Sequence, residues 1–165
     1  MRQRNSWAGH EALQFAVKAR SVPLVALWLA GVGVIPFFVC ATLILVGPPE
    51  LFAPASDALL AYGAIILSFL GGIQWGFATR GARAASQSGI LLCKLLVSVV
   101  PSLVAWVALL APREPGFMIL AGTFLLVFLM DIRAACLNQA PAWYPSLRLF
   151  PTLVAVAALI AATFA

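Results

Sequence analysis

Gln74, Lys94, Asp131, Arg133 and Arg148 are strongly polar side chains in or beside the apolar runs of this sequence. Charges are costly in a bilayer, so they tend to pair with one another and often mark a functional site. Asp131 could accept from Lys94, Arg133 or Arg148. The competing reading is that all of these charges lie near span ends and reach the headgroups on their flexible stems. Gln74 needs a hydrogen-bond partner in an apolar run, as a ligand contact or as glue between helices. Trp75 beside it suits an interfacial anchor. In the segment Pro141-Ala-Trp-Tyr-Pro-Ser-Leu-Arg148, Trp143 and Tyr144 suit the headgroup level and Arg148 can reach lipid phosphate. The chemistry on offer is ion pairing and recognition of an anionic headgroup. No GxSxG, HExxH, Walker or GxGxxG motif is present, and no pair of acids is placed for proton transfer. The sequence therefore predicts no catalytic residues.

The elements that must position these groups are membrane helices. Of the 165 residues, 64% are hydrophobic and only 9% are charged. No soluble fold of this size could hide so much apolar surface. Apolar runs at about 22–46, 59–79, 90–111, 117–137 and 147–164 match the roughly 20 residues a helix needs to cross a bilayer. The expected fold is an all-α integral membrane bundle of five transmembrane helices over 22–165. Residues 1–21 read as an N-terminal interfacial segment, in which Trp7, Leu13, Phe15 and Val17 interleave with His10, Glu11, Lys18 and Arg20. That segment is too broken by polar residues to read as a signal peptide.

Charge orients the bundle. Nine of the ten basic residues fall on one side of the alternating loops, and Arg113 alone falls on the other with Glu50, Asp57 and Glu114. The positive-inside rule then puts the N-terminus inside and the C-terminus outside. The net charge of +5 points to anionic lipid headgroups rather than nucleic acid. Cys40, Cys93 and Cys136 are scattered and His10 is the one histidine, so neither a disulfide framework nor a metal site is expected, and no cofactor is implied.

The second span carries a further pattern. Ala64, Ser68, Gly72 and Gly76 recur at every fourth position, and Gly63 and Gly71 widen the small face. Such a face lets helix backbones approach closely. It could serve a membrane-protein partner, a second copy of the chain, or the protein's own helices. Prolines at 36 and 101 fall inside spans and should kink them.

The stretch Tyr62-Gly-Ala-Ile-Ile-Leu-Ser-Phe-Leu-Gly-Gly-Ile-Gln-Trp-Gly76 resembles the second-span motif of the bacterial and mitochondrial family typified by transmembrane protein 69. Val100-Pro-Ser-Leu-Val-Ala-Trp106, Asp131 and Pro141–Arg148 resemble its motifs in span three, at the end of span four and before span five. The resemblance covers most of the chain from Pro23 onward and leaves residues 1–21 outside it. It implies a small polytopic inner-membrane protein, bacterial or mitochondrial, with no established activity. The expected function is a non-catalytic accessory or assembly subunit of a larger membrane complex. The alternative is a small transporter or lipid-binding protein with an inner-side polar site.

Overall fold

The computed structural model describes residues 22–82 and 88–165. The expected interfacial helix within residues 1–21 lies outside the described residues. Five helices follow in order: α1 (Leu24–Val46), α2 (Pro49–Ala82), α3 (Ser88–Leu110), α4 (Arg113–Cys136) and α5 (Tyr144–Thr163). All five are long and apolar enough to cross a membrane. Each helix packs on its sequence neighbours, α1 meets α5 to close a ring, and α2 touches α4 across the middle.

The helix ends are set by local chemistry. Gly47 and Pro48 separate α1 from α2, and Pro112 precedes α4. At the far end of α4, Asn138 takes the left-handed conformation, φ 56°. Asparagine tolerates that conformation better than most residues, and it turns the chain out of the helix. The amides of Gln139 and Ala140 then donate to the Ala134 carbonyl. Pro145 sits in the first turn of α5, where its missing N–H costs little.

Two helices start a full turn or more before their apolar runs. α2 begins at Pro49, well before the run at 59, and carries Glu50, Pro54 and Asp57 in its added turns. α4 begins at Arg113. At 34 residues, α2 is about 50 Å long, more than a bilayer core requires. Asp57 and Arg113 tie the two early ends together, with Nε and Nη2 of the guanidinium at 2.9 and 3.2 Å from the two carboxylate oxygens.

The core lies between α2, α4 and α5. Leu59, Leu67, Phe117, Leu120, Phe124, Val127 and Leu159 are almost fully enclosed. Phe37 of α1 joins them by edge-to-face contacts with Tyr62 and Phe124. Large apolar side chains point outward along α1 and α3, among them Trp28, Leu29, Phe38, Leu103 and Trp106. In water such a surface would aggregate, whereas lipid tails are its natural solvent.

Pro36 lacks the N–H that Val32's carbonyl would accept in a regular helix. One residue along, the Tyr62 hydroxyl donates to the Gly33 carbonyl at 2.9 Å and links α2 to α1. Tyr62→Phe should cost about 0.5–1.5 kcal/mol, the usual net worth of one hydrogen bond. Unfolding of the purified variant in detergent measures it, and an unchanged stability would assign no net value to the bond.

Candidate functional site

The polar groups gather at the end of the bundle where α2 and α4 finish and α3 and α5 begin. Asp131 is 1% exposed and occupies the last turns of α4. One carboxylate oxygen accepts from Gln74 Nε2 on α2, and the other accepts from Arg148 Nε on α5 at 3.3 Å. A single carboxylate thus joins three helices. Of the three cations within reach by sequence, Arg148 is the partner. Among the described residues its guanidinium engages through Nε alone, and Nη2 finds no hydrogen-bond partner.

The inward seams of the helices explain the meeting. On α2, the buried Leu67, Leu70, Gly71 and Ala78 share a stripe with Gln74. On α5, Tyr144, Arg148, Thr152, Ala155, Leu159 and Ala162 recur at three- and four-residue spacing, and all are buried. This corrects the reading of Tyr144 and Arg148 as headgroup contacts. Pro145 starts α5 at Tyr144, and that phase turns both side chains into the bundle. The seam is visible in the sequence once the helix is started there. Tyr144 packs edge-to-face on Phe77 with centroids 5.3 Å apart, and with Ala134 and Ala140 it forms a small apolar cap next to the network. Trp143 is half-buried against that cap, and Trp75 is exposed on the outer side of α2.

Lys94 and Arg133 do not join the network. Lys94 is half-buried and Arg133 is exposed. Both line a cleft of about 380 Å³ between α2, α3 and α4, together with Gln74, Phe77, Val97 and Met130. Neither side chain makes a hydrogen bond or ion pair among the described residues. Gln74 connects the two environments, since it lines the cleft and holds Asp131. Among the described residues no three His, Cys, Asp or Glu side chains come together as a metal site would require. Cys93 is exposed at the cleft and Cys136 is exposed elsewhere, while Cys40 is half-buried on α1.

The small residues of α2 divide into two faces. Gly63 and Gly71 are buried, and a methyl group on Gly71 would come 2.6 Å from the Ser98 carbonyl oxygen of α3. Ala64 is buried as well. Ser68, Gly72 and Gly76 are exposed, and among the described residues a methyl group on Gly72 or Gly76 would meet nothing within 4 Å beyond its own stretch of helix. The buried set packs α2 into the bundle, and the exposed set is directed outward.

Comparison with known proteins adds a family. A family profile described as a protein of unknown function (DUF3429) matches residues 22–164. Transmembrane protein 69 of Xenopus tropicalis is 36% identical over 154 residues, which cover 91% of this chain and 58% of that protein. Transmembrane protein 69 of Mus musculus is 32% identical over 133 residues, covering 81% of this chain and 53% of that protein. The chain thus spans a little over half the length of these relatives. No solved structure matches. The extent of these matches, on a bundle whose five helices can each cross a membrane, makes this chain a member of the DUF3429 family of membrane proteins, to which it is joined over nearly all of its described length.

Proposed function

We propose that the chain is a non-catalytic accessory or assembly subunit of a larger complex in a bacterial inner membrane. The observation that carries this reading is the outward face of Ser68, Gly72 and Gly76 on α2. An exposed serine–glycine seam at four-residue spacing allows another transmembrane helix to approach to backbone contact, where packing and weak Cα–H···O bonds can hold it. The basic end of the bundle, with Lys94, Arg133 and Arg148, faces the cytoplasm under the positive-inside rule, so the chain enters α1 from inside and leaves α5 outside. A mitochondrial inner membrane, with the basic end in the matrix, is the other placement consistent with the same charges.

The test is substitution of Gly72 and Gly76 by leucine. Both positions are open, so the bundle should fold and melt as before. Mild-detergent isolation from native membranes should recover a stoichiometric partner with the original chain and none with the variant. Unchanged recovery by a well-folded variant would remove the seam from the interface and the main support for this reading.

A second reading has its own observation. The cleft between α2, α3 and α4 has a mostly apolar lining that carries the cations Lys94 and Arg133, which suits a small transporter or a lipid-binding protein.

A further inference from the structure

Lys94 and Arg133 line one cleft, one from α3 and one from α4. Lys94 lies in the second turn of α3 and Arg133 in the last turn of α4. Both therefore sit near the depth where lipid phosphate begins, with flexible stems to reach it. Deeper along the helices Phe77, Val97 and Met130 line the cleft, with Gln74 and Ser98 as the polar groups among them.

Acids near this cleft are scarce by sequence. The whole chain has five, of which Glu50, Asp57 and Glu114 fall at the opposite end of the bundle and Glu11 precedes α1. The fifth, Asp131, is committed to Arg148 and Gln74. The segment 80–93 that leads toward Lys94 contains arginines at 80 and 83 and no acid. The two cations of the cleft thus lack a carboxylate partner among the described residues, because the nearby acid is already matched by a different arginine. Two positive charges beside a mostly apolar slot between membrane-crossing helices are complementary to one class of molecule: an amphiphile with an anionic phosphate head and a hydrocarbon tail.

We propose that this cleft is a binding site for one acidic phospholipid, its phosphate between Lys94 and Arg133 and part of an acyl chain along Phe77, Val97 and Met130. The assignment rests on the second reading above and names its ligand. The Gln74–Asp131–Arg148 network has a positioning part in it. It fixes Asp131 away from the cleft, so the carboxylate does not cancel the charge that the phosphate meets.

The experiment reconstitutes the full chain in vesicles of equal phosphatidylglycerol and phosphatidylcholine, extracts it in mild detergent, and counts retained lipids by native mass spectrometry. The original chain should keep one phosphatidylglycerol in preference to phosphatidylcholine. Lys94→Gln with Arg133→Gln should lower that retention roughly tenfold or more, the scale expected for two basic residues at an anionic surface. Lys94→Arg with Arg133→Lys should restore it, and Arg113→Gln at the far end should leave it unchanged. Val97→Trp keeps both charges and fills the slot, so it should also lower retention, and it decides the question if the charge variant does not fold.

Equal retention of the two lipids, or phosphatidylglycerol retention unaffected by the charge variant or, where that does not fold, by Val97→Trp, would overturn the assignment. Displacement of the lipid by inorganic phosphate would also overturn it and give the site to a free anion. A bound non-lipid mass at the same cleft would refute the lipid while leaving the second reading intact.

Discussion

Asp131→Leu is expected to be among the most damaging single substitutions in this protein, costing about 3–5 kcal/mol of stability. The loss does not measure the strength of the native pair. Arg148 donates to Asp131 through one N–H at 3.3 Å, without the two-point geometry that makes arginine–carboxylate pairs strong. Two charges taken out of water recover little net energy even when well paired. The damage comes from asymmetry: leucine leaves the buried guanidinium of Arg148 without a counter-charge and Gln74 without an acceptor. The double variant Asp131→Leu with Arg148→Met should therefore recover most of the loss, since it removes both charges and keeps the volume filled. A double-mutant cycle on unfolding in detergent checks this. Losses that simply add would mean that the two residues do not act as a pair.

Much of this arrangement is legible in the sequence because lipid imposes simple rules. Apolar length gives the five helices, and loop charge separates the two ends of the bundle. The cost of a buried carboxylate makes Asp131 look for a cation, and Gln74 for a partner. Three features are harder to read. The early start of α2 is hidden because residues 49–58 carry two acids, Glu50 and Asp57, and contain Pro54, which in a buried helix would leave the Glu50 carbonyl unsatisfied. At an exposed helix end, water can serve that carbonyl. The choice among Lys94, Arg133 and Arg148 depends on helix phase rather than on proximity in sequence. Arg133 is two residues from Asp131 and so points to a different side of α4, whereas Arg148 lies on the inward seam of α5.

The third is the small-residue stripe of α2, where the helix geometry itself misleads. Each residue advances about 100° around the axis, so a step of four overshoots a full turn by about 40°. Across the three steps from Ala64 to Gly76 the stripe drifts by about 120°. It starts in the core at Ala64 and ends outside at Gly76. Spacing that looks like one face is therefore a spiral that leaves the core.

That drift gives two adjacent glycines opposite responses to the same change. Gly71→Ala places a methyl group 2.6 Å from the Ser98 carbonyl oxygen, a backbone atom that can move only if α3 moves. Alanine improves helix propensity by up to about 1 kcal/mol, but pushing packed helices apart costs about 1–3 kcal/mol, so the clash outweighs the gain. Gly71→Leu should exceed that range and separate α2 from α3, opening the contact that forms one wall of the cleft. At Gly72 the space is empty, so Gly72→Ala keeps only the propensity gain and should be neutral or slightly stabilising. Melting temperatures of the variants in one detergent decide it. The expected order is Gly72→Ala at or above the original chain, then Gly71→Ala, then Gly71→Leu. Equal behaviour of the two alanine variants would mean that α2 is rotated from the phase described, and the outward seam and the Gln74–Asp131 bond would have to be reassigned with it.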